Sequence, residues 1–328
     1  MPVVSVLMAV KNAQATLERS IFSILNQTFT DFEFIIVDDY SSDKTPAILA
    51  EFKEPEIRIV RAEKPGLVNA LNHGLNQITG KYIARMDADD KSHPERLKQQ
   101  VKVLDREPEI GVVSGLVNHI STHKKQEGYA AHVHLINTLI SPEEHFANRF
   151  RDSPVANPSA MFRKSLLKYG NYKEFDGPED YEFWLRLMQN GIRFKKIDNQ
   201  VLDWYDYPDR LTRTSGNYSM EAFSRIKARY FSMWWKVNNR DRELWIWGYG
   251  KEVFNKSKWL KEYGIDVTGY IDVKNRSGTT RKVIYYEQIE FKNAFTLVYV
   301  SDRLGQQKIS NWFKNKGLVP ISNFYFMT

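Results

Sequence analysis

Two short acidic clusters stand out by residue type and by placement. Asp87-Ala88-Asp89 follows the apolar run Tyr82–Met86, and Asp38-Asp39 follows Phe34-Ile35-Ile36-Val37. Two carboxylates one residue apart are hard oxygen ligands that suit Mg²⁺ or Mn²⁺. An ion held there can bridge a diphosphate and neutralise the charge that develops as it leaves. The competing use is a solvated acidic turn, with Asp90 capping a helix over Lys91–Leu104. At the other cluster, a carboxylate can accept hydrogen bonds from a nucleobase or from ribose hydroxyls. Asp and Ser also favour local turn bonding. The two uses divide between residues here: Asp43 is expected to cap a helix starting at Thr45, and Asp39 to face a ligand.

Both clusters need a scaffold that brings strand ends together. Val3–Val10 is a continuous apolar run and Phe32–Val37 a second buried strand, the pattern of strands buried on both faces of a parallel sheet. Ile57–Arg61 and Tyr82–Met86 read as a third and a fourth strand. Helical spacing of apolar residues separates them, over Ala13–Leu25, Thr45–Phe52 and Leu67–Gln77. Alternation of this kind predicts an open α/β sheet with right-handed crossovers. The acidic clusters fall past the carboxyl ends of two strands, which is the ligand edge of such sheets.

Farther along, helices are expected over Pro94–Leu104, Ser141–Phe150 and Asp180–Gln189, a strand over Gly111–Val117 and an edge strand over Asn157–Phe162. Lys124–Gln126 reads as a polar loop, and Tyr218–Val237 as a long basic and aromatic helix. A second βαβ pattern starts at Glu243. The domains are therefore placed at 1–240 and 241–328, with a nucleotide half over about 1–110, an acceptor half over about 111–215 and a helical tail to 240.

Composition narrows the classes. The 328 residues are 42% hydrophobic and 27% charged, which excludes disorder and leaves ample apolar material for a core. There is no cysteine, so disulfides, thiolate metal sites and cysteine nucleophiles are excluded. The net charge of +7 comes from scattered residues, and no nucleic-acid partner is expected from it. No apolar run approaches the 18 or so residues of a membrane span. Met1–Leu7 lacks a basic stretch before its apolar residues, so it reads as a strand and not as a signal peptide.

Taken in order, Val4–Asn12, Ile36–Asp43, Leu71-Asn72-His73-Gly74 and Tyr82–Asp90 resemble the motifs of glycosyltransferase family 2 over about residues 3–110. The resemblance implies a GT-A type open, mostly parallel sheet with helices on both faces. It also implies a nucleoside-diphosphate sugar donor, of UDP type by preference, and transfer with inversion to an acceptor hydroxyl. The acceptor is then a glycan, free or carried on lipid, in surface polysaccharide or glycan biosynthesis. By matching position, Asp39 contacts the base, Ala9 and Val10 line its pocket through backbone, and Asn72 supports the donor. Asp87, with Ala88 beside it, touches ribose or metal, Asp89 is the main ligand of Mn²⁺ or Mg²⁺, and Lys64 meets the diphosphate. Lys11 stands where the family usually has Tyr.

Glu179-Asp180 before Tyr181–Leu187 resembles the family's Glu-Asp element at a helix start. Transfer with inversion needs a base within about 2.6–3.2 Å of the acceptor hydroxyl. The helix dipole is expected to hold a carboxylate there ionised. Asp180 is the first choice and Glu179 the second, while helix capping would use the same placement. In Trp204–Arg213, Arg210 and Arg213 are positioned to grip phosphate oxygens. The family's metal-binding histidine is missing there, so Asp206 or water is expected to complete the metal sphere.

In the last domain, Gly248-Tyr249-Gly250 after a strand and Asp272 about 22 positions on resemble a dinucleotide fingerprint, but Val253 takes the third glycine position. A smaller Rossmann-like α/β domain that scaffolds, dimerises or holds an acceptor is the expectation. The aromatics of Tyr218–Val237 fit packing between the domains, or contact with a membrane surface. The reading is thus a metal-dependent, hexosyltransferase-type enzyme, cytoplasmic or peripheral at the inner membrane face. The rivals are a sugar-nucleotide pyrophosphorylase, whose glycine-rich loop is absent at Lys11–Gln14, and an inactive sugar-nucleotide-binding scaffold.

Overall fold

The computed structural model describes residues 1–121, 127–175, 177–208, 210–239 and 241–328, so the loop expected at Lys124–Gln126 lies outside the described residues. The chain divides into two compact units. One comprises Met1–His145, Pro154–Phe175 and Glu179–Thr214, and the other Phe146–Ser153, Asp176–Pro178 and Ser215–Thr328.

In the first unit the apolar runs become β1 (Val4–Val10), β2 (Phe32–Asp38), β3 (Ile57–Arg61) and β4 (Tyr82–Asp87). They are mutually parallel, in the spatial order β3-β2-β1-β4. Helices α1 (Leu17–Leu25), α2 (Thr45–Glu51) and α3 (Leu67–Leu75) make the crossovers. Leu17, Ile21 and Ile24 of α1 join Val4, Val6, Met8, Phe34 and Ile36 in one core cluster, as their helical spacing requires. Lys44, not Asp43, is the N-cap residue of α2; Asp43 lies one residue earlier, its Oδ1 accepting the Thr45 N–H at 2.9 Å.

The sheet continues through β5 (Lys91–Ser92), β6 (Ile110–Ser121), β7 (Met161–Arg163) and β8 (Arg193–Asp206), in the full order β3-β2-β1-β4-β7-β6-β8-β5. The strand expected at the sheet edge over Asn157–Phe162 is instead a 3₁₀ turn at Asn157–Ser159 followed by an interior strand. β7 is antiparallel to both β4 and β6. Pro158 cannot donate to a ladder, so pairing begins only beyond it, with the fully buried Met161 and Phe162. Helices α4 (Arg96–Arg106), α5 (Glu127–Asn137), α7 (Glu179–Gln189) and α8 (Leu211–Thr214) complete the unit, and α6 (Pro142–Asn148) starts in it and ends within Phe146–Ser153 of the other. α4 starts at Arg96, so Asp90 lies too far upstream to cap it.

The second unit carries α9 (Met220–Asn238) and a five-stranded parallel sheet. Its strands are β9 (Glu243–Trp247), β10 (Gly269–Asp272), β11 (Val283–Tyr285), β12 (Ala294–Val298) and β13 (Phe324–Phe326), with α10 (Lys251–Glu262) and α11 (Arg303–Asn315). The order β11-β10-β9-β12-β13 is that of a doubly wound sheet. Gly248 has φ 122°, a conformation that favours glycine. Tyr230, Phe231, Trp234 and Trp235 of α9 are buried, with Trp234 against Phe295 and Tyr325 of the same unit. These aromatics are core residues. Among the described residues, no helix is long and apolar enough to cross a membrane.

Candidate active site

The register of the first sheet brings the expected ligand residues to one edge. Ala9 of β1 lies between Val37 of β2 and Asp87 of β4, and Val10 lies opposite Asp38. Just past that edge, Asp87, Asp89 and Asp90 each turn a carboxylate oxygen to within 4.8 Å of the others. α1 fixes the loop from below. Thr16 Oγ1 and Ser20 Oγ donate to the Ala88 carbonyl at 2.9 and 2.8 Å, Ser20 Oγ also reaches the Asp90 carbonyl at 2.7 Å, and Arg19 donates to the Asp89 carbonyl. Sequence reasoning missed Thr16, Arg19 and Ser20. The polar Thr16 and Ser20, one helical turn apart beside the apolar Leu17, Ile21 and Ile24, were the available signal.

The three acids are not electrically equivalent. Arg85, almost wholly buried, donates to Asp87 Oδ1 at 2.7 Å. Burial raises the Asp89 carboxyl to about 6, with Asp87 adding to the rise and Arg210 opposing it. Asp90 is raised well above the usual range by burial and by Asp89. Its Oδ1 accepts the Tyr205 N–H at 2.9 Å, whereas Oδ2 is buried without a hydrogen-bond partner. A buried carboxylate oxygen without a partner is costly. Three converging acids with one such oxygen therefore fit a hard divalent cation. Asp90, expected only as a cap, is the third carboxylate of the set.

Beside this loop, Asp39 accepts the Gly66 N–H at 2.7 Å through Oδ1, and Lys11 Nζ stands 3.7 Å from Oδ2. The Asp39 N–H donates to the Val10 carbonyl at 2.8 Å, tying it to β1. Gly66, with φ 120°, makes the turn that aims its N–H at this carboxylate. Asn72 donates to the Tyr172 carbonyl at 2.8 Å and keeps a buried Oδ1 without a partner. Lys64 is exposed on the loop before α3.

Glu179 and Asp180 open α7. The helix is held by Phe183 and Trp184, both fully buried against Phe162. Arg186 reinforces it by donating to the carbonyls of Tyr169, Gly170 and Asn171. Asp180 Oδ1 accepts the N–H of Tyr181 at 2.7 Å. The expectation that the helix dipole keeps Asp180 readily ionised fails. Burial, then the charges of Glu179 and Asp87, push its carboxyl up to about 8 against one opposing backbone hydrogen bond and Arg85. The influence of Asp87 shows that Asp180 shares the electrostatic environment of the acidic loop.

The Trp204–Arg213 segment corrects two expectations. Asp206 is fully buried and accepts from Arg213 at 2.7 and 2.9 Å, with His119 Nε2 3.6 Å away. It is thus engaged by the Arg213 guanidinium and is not among the acids that converge past β4. By the same contact the Arg213 guanidinium clamps Asp206 instead of presenting itself to phosphate. Arg210 lies within the field of the acidic loop. Burial opposes its charge, but Tyr129 and the acids Asp90, Asp89 and Asp87 outweigh it and hold the charge in place. Its Nη1 donates to the Tyr205 carbonyl at 2.6 Å, and its guanidinium lies 5.1 Å from the Trp204 ring and 5.5 Å from that of Tyr129. Tyr129 on α5 was not foreseen, since no motif surrounds it.

A GT-A type sheet with an acidic cluster past β4 and a carboxylate past β2 defines a sugar-transferring class of protein. The family model for glycosyl transferase family 2 matches residues 5–170. The chain belongs to that family, and so to the transferases. It is 33% identical over 210 residues to the O-antigen biosynthesis glycosyltransferase WbnJ of Escherichia coli, covering 61% of this chain and 78% of WbnJ. Its fold is similar to that of S. aureus TarS 1–349 in complex with UDP-GlcNAc, with a TM-score of 0.56 at 19% identity, over 80% of this chain and 71% of TarS 1–349. It is also similar to the mannosyltransferase PcManGT of Pyrobaculum calidifontis in complex with GDP-Man and Mn²⁺, with a TM-score of 0.51 at 20% identity, over 79% and 68% of the two chains.

Proposed function

We propose that the protein is an inverting glycosyltransferase that moves a hexosyl unit from a nucleoside-diphosphate sugar, of UDP type by preference, to a glycan hydroxyl. The observation that carries this is the triad Asp87, Asp89 and Asp90 beside the ends of β1 and β2, with a buried Asp90 oxygen left without a partner. Asp39, with the backbone of Ala9 and Val10, binds base and ribose. Asn72 supports the donor, and Arg210 and Lys64 meet the diphosphate. Asp87, Asp89 and Asp90 would hold Mn²⁺ or Mg²⁺, which when bound neutralises charge on the leaving diphosphate.

Asp180, with Glu179 as the alternative, takes the proton of the acceptor hydroxyl. The acceptor oxygen bonds to the anomeric carbon from the face opposite the nucleotide as the bond to the diphosphate breaks. The likeness to an O-antigen biosynthesis enzyme favours a polysaccharide acceptor, free or lipid-linked. The domains are read as a transferase over 1–240 and a Rossmann-like module over 241–328.

The test is a panel of nucleotide sugars assayed with and without Mn²⁺, for wild type and Asp89→Ala. Turnover of one donor that needs the metal and is lost in Asp89→Ala supports the reading. Equal turnover in chelator, or none with any donor, refutes it.

A further inference from the structure

Charge is divided unevenly along the chain. Residues 215–328 contain 19 Lys and Arg against 10 Asp and Glu, a net +9, whereas the whole chain is +7, leaving −2 for residues 1–214. Asymmetry of this kind points to an anionic partner for the basic part.

Much of the excess lies on α9, α10 and the segment before β11. Helical spacing puts Arg225, Arg229, Met233 and Val237 on one stripe of α9. Met233 is 46% and Val237 75% exposed, although the opposite side of the helix is core. The Arg225 guanidinium lies over the Trp259 ring of α10, and Lys236 Nζ donates to the Tyr263 carbonyl, so α9 and α10 present adjoining surfaces. Next to them is a cleft of 540 Å³ floored by Phe254 and Tyr270 and rimmed by Lys258, Lys261, Arg281 and Lys282. Glu262 and Asp266 share this cleft, and Glu221 pairs with Lys258. The cations still outnumber the acids.

We infer that this face of the second unit docks on the surface of an anionic phospholipid bilayer. A stripe of basic residues, Arg225 and Arg229, that continues into exposed Met233 and Val237 suits the boundary between headgroups and acyl chains. A nucleic acid or a soluble polyanion would use the cations but not the exposed apolar side chains. The buried aromatics of α9 take no part. The inference is independent of the donor and metal proposed above, because lipid binding is read without any transfer reaction.

The experiment is co-sedimentation of the full chain with vesicles of phosphatidylcholine alone or with about 30% phosphatidylglycerol, at low and high salt. Binding should require the anionic lipid and fall as salt rises. Arg225→Gln, Arg229→Gln, Lys258→Gln and Lys261→Gln combined should weaken partition by about 100-fold or more, at roughly fivefold per cation. Met233→Ser with Val237→Ser should weaken it further without changing the salt dependence. All six positions are outside the core, so melting temperature should stay near that of the wild type. Equal binding to neutral vesicles, or none to either kind, overturns the inference. So does binding to double-stranded DNA without vesicle binding, which would assign the face to nucleic acid.

Discussion

Asp180→Asn separates catalysis from structure because the amide keeps the contact that the carboxylate makes. Asn can still accept the Tyr181 N–H, now 2.7 Å from Asp180 Oδ1, and α7 begins at Glu179, so Asp180 is not its sole cap. The carboxyl is raised from 3.8 to about 8, chiefly by burial and then by Glu179 and Asp87. Between these values the folded protein binds a proton that the unfolded chain has released. Wild-type stability therefore falls as pH rises through that window. At 1.36 kcal/mol per tenfold change, the full penalty is about 6 kcal/mol. Asp180 retains some exposure, and screening trims the figure to roughly 2–3 kcal/mol.

Asp180→Asn should thus be no less stable than wild type at pH 4, and more stable by a few kcal/mol at pH 8 and above. Transfer should drop by roughly 10²–10⁴-fold, the usual contribution of a general base, while nucleotide binding stays intact. Denaturant melts from pH 4 to 9 and single-turnover transfer rates check both halves. A variant that transfers at the wild-type rate would remove Asp180 as the base. A stability difference that is flat with pH would refute the electrostatic argument.

Asp39→Asn should weaken nucleoside-diphosphate binding by about 10–100-fold, since hydrogen bonds to charged groups contribute about 1.5–3 kcal/mol. The amide oxygen can still accept the Gly66 N–H, so the turn should survive. Isothermal calorimetry checks it, and unchanged affinity would count against a contact with base or ribose. Arg213→Ala should destabilise the fold by about 3 kcal/mol, because Asp206 is fully buried and Arg213 makes three hydrogen bonds to it. Chemical denaturation measures this, and a loss below about 0.5 kcal/mol would show that other contacts of Asp206 suffice.

The parts legible in the sequence share a physical cause. β1, β2 and β4 are buried almost throughout, so each reads as an apolar run whose end follows from where the run stops. β3 is instead a half-exposed edge strand, legible from its Ile and Val residues between two helical patterns. The acidic clusters were visible for the same reason, as charge directly after such a run. β8 was not visible, because Arg193–Asp206 carries Lys195, Lys196, Asp198 and Asp203 inside the strand and shows no clean alternation. β7 was misplaced because it has three residues, of which two pair on both sides, too short a run to distinguish an interior strand from an edge. The ionisation of Asp180 was misjudged because the helix dipole is local and readable, whereas burial is tertiary.

β8 also explains why the acidic loop is complete only in three dimensions. Its end supplies the Tyr205 N–H that fixes Asp90 Oδ1, the Tyr205 carbonyl that anchors Arg210, and Asp206, which anchors Arg213. The Arg19 guanidinium lies 3.8 Å from the Tyr205 ring and also donates to Tyr207 Oη at 3.2 Å. Asp90, Arg19, Arg210 and Arg213 are thus positioned through three consecutive residues, Tyr205, Asp206 and Tyr207, over 110 positions after the acidic loop. A hydrogen bond to backbone constrains the Tyr205 peptide and not its side-chain identity, so no motif could advertise it. The Asp-x-Asp spacing displays two acids, and the strand that crosses behind them converts Asp90 from an apparent cap into the third.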